Sequence, residues 1–261
     1  MNRGARREIP YYFAPGRKLF QIVVKIKGEP GSHGRILDLL ETRAKLVGAT
    51  SYSLQDGTTI VSGFAEALSN SETAANLHRL AVSSGVVLEA EVLEGVDGML
   101  IDTFHTGLET GGEYLMLVRR NALTRMLDNV HRLLGTAGEV LLYQEGLAVG
   151  RANAEAFVKS LGGERVRRNL GYLRNNLAAQ GWGRIETKEG PDEGGSTIVI
   201  RDCFECSSNK GKRMGCHFFR GYIAGNRSVT FREEFAVQEP RCTLRGDDAC
   251  EFVAKSSAAG L

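Results

Sequence analysis

Five cysteines stand in this chain of 261 residues, and all five fall between positions 203 and 250. Thiols gathered in so short a span pair as disulfides, cycle between redox states, or hold a metal ion. An odd count, in a chain whose first residues are polar and Arg-rich and lack the apolar core of a secretory signal, argues against a disulfide framework. Four of the candidate ligands, Cys216, Glu239, Cys242 and Cys250, are spaced C-x22-E-x2-C-x7-C. Zinc accepts three thiolates and one carboxylate in a tetrahedron, and an E-x2-C pair can grip an ion from one turn as C-x2-C does. Such a set fills every position and implies a structural ion. A Glu239 arm that swung away would instead admit water or a ligand, turning the site into a sensor or a Lewis acid.

Cys203 and Cys206 form a further C-x2-C pair. Three chemistries suit them: free structural thiols, a redox pair closing a disulfide under oxidation, or alternative ligands displacing Glu239 and another cysteine. Lys210, Lys212 and Arg213 follow closely, and folded back over the pair they would lower its thiol pKa values and favour redox sensing.

The elements that must position these groups are readable in outline. Residues 1–18 carry Arg3, Arg6, Arg7, Arg17 and Lys18 against Glu8 with no apolar period, a solvated basic tail. Phe20, Ile22, Val24 and Ile26 then alternate with Gln21 and Lys25 as a half-buried strand requires. Ile36, Leu37, Leu40, Ala44 and Val47 recur at helical spacing up to Gly48, and runs at 50–54 and 58–64 flank the turn Asp56-Gly57. A capping box at Ser69 and Glu72 opens a second helix, and Leu88, Ala90 and Val92 close with a strand. The order βαββαβ over 19–95 is the ferredoxin-like plan.

From 96 onward the chain reads as a second, mixed α+β domain running to 261. Apolar runs at Met99–Ile101 and Tyr114–Val118, parted by Gly111-Gly112, read as a strand pair. Leu123, Met126, Leu127, Val130, Leu133 and Leu134 stripe a helix capped by Asn121. Residues 138–161 are ambiguous, because Val140–Tyr143 suits a strand while Gly146 and Gly150 punctuate a helical remainder. Val166, Leu170, Leu173 and Leu177 mark another helix, a hairpin follows across Pro191 and Gly195, a short helix spans Gly215–Ala224, and strands run from Val229 to Val237 and around Cys250 to Val253.

Two resemblances attach to these residues. The turn Gly28-Glu29-Pro30-Gly31 leading into the first helix resembles the strand-to-helix loop of ACT regulatory domains, over residues 19–95. It implies an amino acid bound at a dimer interface, where glycines let a ligand approach and a helix N-terminus offers N–H groups to a carboxylate. Gly31 and His33 are the candidate contacts. The stretch Gly215-Cys216-His217-Phe218 with Gly221-Tyr222-Ile223-Ala224-Gly225, then Glu239-Pro240-Arg241-Cys242 and Gly246-Asp247-Asp248-Ala249-Cys250-Glu251-Phe252, resembles the 4-vinyl-reductase-type domain, over roughly residues 97–255. That family includes sensory domains of aromatic-responsive transcription activators, a bacteriochlorophyll-synthesis accessory protein and archaeal proteins described as hydrocarbon-binding. The resemblance implies one zinc on Cys216, Glu239, Cys242 and Cys250, an apolar ligand pocket and dimerisation. Trp182, in a Gly-Trp-Gly similar to the family's own, becomes the first pocket candidate, its alternative being a core aromatic. The C-x2-C of Cys203 and Cys206 departs from the family pattern.

Function classes narrow further by composition. The 33 basic and 31 acidic side chains nearly cancel, which supplies no field for nucleic acid or an anionic membrane, and no apolar run reaches the roughly 18 residues of a spanning helix. There is no G-x-G-x-x-G after a strand, no P-loop and no nucleophile paired with histidine, so catalysis is not expected. The leading reading is a cytoplasmic small-molecule-binding regulatory protein, an ACT-like domain joined to a zinc-stabilised domain for a hydrophobic or aromatic ligand, acting as a homodimer or through an unidentified protein partner. Its alternatives are an accessory protein or reductase for a vinyl-bearing tetrapyrrole, and a thiol redox sensor using Cys203 and Cys206.

Overall fold

Alternating Phe20, Ile22, Val24 and Ile26 need an apolar layer to face, and the two amphipathic helices that follow in sequence supply it. The computed structural model describes residues 11–105, 107–110, 113–169, 171–190, 195–207 and 215–257, and the chain divides into two compact units, Met1–Gly107 and Leu108–Leu261. Arg3, Arg6, Arg7 and Glu8, Gly111-Gly112, Leu170, Pro191 and the cations Lys210, Lys212 and Arg213 lie outside the described residues, as does the side chain of Leu173.

The first unit runs β1 (Tyr11–Phe13), β2 (Leu19–Ile26), α1 (Ser32–Glu41), β3 (Ala44–Ser53), β4 (Thr59–Ala67), α2 (Ala74–Ser83), β5 (Val87–Glu94) and β6 (Met99–Ile101). Four of these strands make an antiparallel sheet in the order β3-β4-β2-β5, with β2 central. Its core joins Phe20, Ile22, Val24 and Ile26 to Ile36, Leu40, Leu77 and Ala81. α2 is capped by Thr73, whose side chain accepts the N–H of Asn76, rather than by the Ser69 and Glu72 box.

Three expectations change here. The first helix ends at Glu41, and Ala44 and Val47, which continue its spacing, belong instead to β3. β2 is buried on both faces, not one, because the chain around β6 covers the second: Gln21 is only 1% exposed and its side chain donates to Asp102 Oδ1 at 2.6 Å. Met99–Ile101 pairs with Tyr11–Phe13, inside the basic segment, and not with the run after Gly112.

The second unit comprises β7 (Leu108–Thr110), β8 (Glu113–Leu115), α3 (Arg120–Leu134), α4 (Thr136–Leu161), α5 (Gly163–Arg168), α6 (Gly171–Ala179), β9 (Arg184–Glu189), β10 (Ser196–Arg201), α7 (His217–Phe231), β11 (Phe235–Arg241) and β12 (Cys250–Ser256). A single 3-10 turn, Phe204–Cys206, follows β10. The sheet is antiparallel in the order β11-β12-β10-β9. Both units are therefore mixed helix and sheet, the α+β class.

α7 is the buried spine of this unit. Phe219, Tyr222 and Ile223 of α7 meet Ile198, Ile200 and Phe252 of the sheet and Leu142 of α4 in one core. Its fit against α4 depends on a seam of four glycines. A Cβ on Gly146 or Gly150 would overlap the carbonyl oxygens of Phe218 and Tyr222, and one on Gly221 or Gly225 those of Tyr143 and Leu147. Main chain thus touches main chain, an approach only glycine permits. This settles the ambiguous stretch as one 26-residue helix, in which Gly146 and Gly150 are contacts and not breaks. Where one helix was expected over 166–177, the chain makes two, α5 and α6. The helix expected over Gly215–Ala224 extends to Phe231, so the next strand starts at Phe235, six residues later than Val229. Among the described residues no helix is long and apolar enough to cross a membrane.

Candidate metal centre

Cys250 opens β12 opposite Ile200 of β10, and one residue beyond β10 the chain turns sharply at Asp202, whose φ of 58° is in the left-handed region. That reversal delivers the 3-10 turn and its cysteines to the end of the sheet. The turn is fastened from three sides. Thr124 Oγ1 of α3 donates to the carbonyl of Phe204 at 2.7 Å, and the N–H of Phe204 donates to Trp182 O at 2.9 Å. Glu205, fully buried between Cys203 and Cys206, accepts the N–H groups of Phe218 and Phe219 at 3.1 and 2.8 Å. A carboxylate there satisfies donors that the first turn of α7 leaves unpaired and complements the positive end of the helix.

Cys216 is the N-cap of α7. Its N–H donates to Glu239 Oε2 at 2.9 Å, and Gly215 makes this approach possible, since a Cβ there would stand 2.7 Å from the same oxygen. Cys242 follows β11 in a loop closed by Asp247, whose Oδ2 accepts the Cys242 N–H at 2.8 Å, with Gly246 at φ 99°. Strand, helix cap and loop thereby converge.

The thiols that arrive are close. Cys216 Sγ lies 3.8 Å from Cys242 and 3.7 Å from Cys250, and Cys242 and Cys250 are 3.9 Å apart. Cys206 Sγ stands 3.0, 3.4 and 3.9 Å from Cys216, Cys250 and Cys242. Cys203 joins from the side at 4.0 Å from Cys216. All five are free thiols, buried except for the half-buried Cys206. Two four-residue sets could each hold a metal ion, Cys216, Glu239, Cys242 and Cys250, and Cys203, Cys206, Cys216 and Cys250, their ligand atoms within 4.8 Å of one another.

Electrostatics match this crowding. Contacts with Cys203, Cys206, Cys242 and Cys250 push the Cys216 thiol well above its ordinary range, while the same neighbours of Cys250, Cys203, Cys206, Cys216 and Cys242, hold its thiol down. The cluster by itself accommodates one negative charge, and further ionisation calls for a cation among the sulfurs. Burial raises the Glu239 carboxyl, against the N–H of Cys216, and Glu239 Oε1 is buried without a hydrogen-bond partner. An orphaned carboxylate oxygen beside a thiol cluster is the donor set of a soft or borderline cation.

The structure therefore brings Cys216, Glu239, Cys242 and Cys250 together, and draws Cys203 and Cys206 into the same place. Trp182 sits elsewhere in the unit, half-buried, with ring centroids 4.8 Å from Tyr222, 4.9 Å from Phe204 and 5.7 Å from Phe219. Gly31 and His33 lie apart from all of these, exposed at the start of α1 in the first unit, Gly31 with φ 85°. Sequence reasoning missed Glu205 and Gly215, whose roles rest on partners 13 and 24 residues away.

Residues 197–256, which contain all five cysteines, match the vinyl-4-reductase domain. The centre therefore lies in a domain of that type. Over 126 residues the chain is 30% identical to the uncharacterized protein MJ0150 of Methanocaldococcus jannaschii, covering 46% of this chain and 68% of that one, and it belongs to the same family. Among solved structures, the phenol-responsive sensory domain of the transcription activator PoxR with phenol overlaps 60% of this chain and 80% of its own at 16% identity and a TM-score of 0.45. A vinyl-4-reductase family protein from Methanocaldococcus jannaschii overlaps 54% of this chain and 97% of its own, at 18% identity and a TM-score of 0.34.

Proposed function

We propose that the second unit is a small-molecule-binding, sensor-type module whose fold is completed by one structural zinc. The triangle formed by Cys216, Cys242 and Cys250 carries this reading. Thiolates about 2.3 Å from a tetrahedral zinc stand about 3.8 Å apart, and the three edges here are 3.7, 3.8 and 3.9 Å. The fourth position is within reach of Glu239 and of Cys206. With four protein ligands no site remains for an activated water, so the ion stabilises the fold and does not catalyse.

The ligand we assign is a hydrophobic or aromatic small molecule at the ring cluster of Trp182, Phe204, Phe218 and Tyr222, three of them on α7 or on the turn that carries Cys206. Aromatic faces offer large apolar area with defined stacking geometry. The first unit we read as ACT-like and regulatory, taking an amino acid at the loop of Gly31 and His33; the strand order β3-β4-β2-β5 with two helices supports it. Exposed Met126, Leu133, Leu134 and Val140 on α3 and α4 suit a homodimer, and the cytoplasm is the assigned compartment.

Trp182 is the sole tryptophan, so its emission reports on the cluster directly. Elemental analysis is expected to give one zinc per chain, and titration with phenol, longer alkylphenols and a C16 fatty acid a saturable change in emission with a matching rise in Tm. Zinc-free protein that melts no lower than the purified form would overturn the metal reading, and unchanged emission and Tm across the whole series would overturn the ligand reading.

A further inference from the structure

A tetrahedral centre needs a fourth vertex, and two side chains reach toward the same triangle. Cys206 completes a four-sulfur figure, all six edges of which lie between 3.0 and 3.9 Å. Its position is set by the backbone, because Glu205 and Thr124 fix the 3-10 turn against α7 and α3. Glu239 is differently placed. One oxygen is committed to the N–H of Cys216 at 2.9 Å, and the other is buried and unpartnered. Where both donors are available, thiolate is the softer ligand and the better match to a centre already holding three sulfurs.

We infer that in the reduced protein Cys206 is the fourth ligand, giving a four-thiolate centre of Cys206, Cys216, Cys242 and Cys250, and that Glu239 stands in reserve beside it. This rests on the metal-centre reading proposed above. Glu239 in the outer position still holds the helix cap on which Cys216 stands, and its free oxygen lies ready to take the vertex when Cys206 is removed. Cys206 is the only one of the four that is half-buried rather than buried, so the exchangeable vertex is also the accessible one.

X-ray absorption at the zinc edge counts sulfur against oxygen neighbours, and cobalt(II) substituted for zinc reports thiolate number through its charge-transfer absorption. The reduced wild-type chain is expected to show four sulfurs. Cys206→Ser should keep one metal per chain but show three sulfurs and one oxygen, with charge-transfer intensity down by about one quarter as one thiolate in four is lost. Glu239→Gln should leave both spectra unchanged, and the double variant should bind metal at least about tenfold more weakly. Three sulfurs and one oxygen in the wild type, with a Cys206→Ser spectrum identical to it, would overturn the inference while leaving the metal centre intact. A wild-type chain that binds neither zinc nor cobalt would overturn the metal centre itself and the inference with it. The wild-type sulfur count decides the question even where Cys206→Ser fails to fold.

Discussion

The two units bury polar groups on opposite terms. In the first, Asp102 is a closed account: Gln21 and the N–H groups of Phe104 and His105 donate to Oδ1 at 2.6, 3.1 and 3.0 Å, and the His105 ring meets Oδ2 at 2.7 Å. Every lone pair that burial takes from water finds a donor within the same polypeptide. In the second, five thiols and a carboxylate converge with Glu239 Oε1 left unpartnered. The first unit is self-sufficient, whereas the second is built around a charge the polypeptide does not supply. The difference shows that a buried polar cluster is to be judged by what remains unsatisfied, not by how many groups it gathers.

The sharpest break between the units is metal loss. Structural zinc sites contribute on the order of 10 kcal/mol of folding free energy. Cys242→Ser, or chelation of the wild type, is expected to unfold the second unit while the first keeps its cooperative transition; a melt with both transitions intact would remove the contrast. Next comes the glycine seam. Gly150→Ala places a methyl on the carbonyl of Tyr222 and should cost the second unit about 3 kcal/mol. Gly34→Ala, in a helical position of α1 with open space around it, should instead raise the first unit's stability by about 0.5 to 1 kcal/mol. Denaturant titration of both variants tests the pair, and equal effects would show the seam to be looser than its geometry.

The smallest effect concerns acid. Burial opposes the charged form of Asp102, but the N–H of His105, its ring and Gln21 more than offset this and hold the carboxyl below its ordinary value of 3.8. A lowered folded-state pKa contributes stability that is present above the unfolded value and lost as pH falls through the folded one. Asp102→Asn should therefore cost the first unit about 1 kcal/mol at pH 7, discounted for solvent screening, and the variant and wild type should converge as pH drops below the lowered value. Melts of the first transition across that range check it; a gap independent of pH would mean the amide disturbs packing alone.

The sequence made the local patterns legible and the distant partnerships not. The alternation Phe20, Ile22, Val24, Ile26 announced β2, but its second buried face depends on Asp102, 81 residues from Gln21. Ala44 satisfied both the period of α1 and the inward register of β3, so spacing could not separate the two elements. Gly146 and Gly150 looked like helix breakers because their reason, Gly221 and Gly225, is supplied by another helix. At the site, C-x22-E-x2-C-x7-C marked Cys216, Glu239, Cys242 and Cys250 from spacing and resemblance. The same string showed Cys203 and Cys206 only as a pair of uncertain chemistry, because the approach of Cys206 to within 3.0 Å of Cys216 is set by Glu205 on the cap of α7.

The seam between α4 and α7 also has a mechanical side. Glycines spaced four apart on both helices mesh like the teeth of two racks, and any slide of less than one tooth drives a side chain into the facing backbone. Four residues of helix advance about 6 Å. Axial travel of α7, with Cys216 at its tip, is thus quantised: the helix is either locked in register or displaced by a full step, and graded motion along its axis is closed to it.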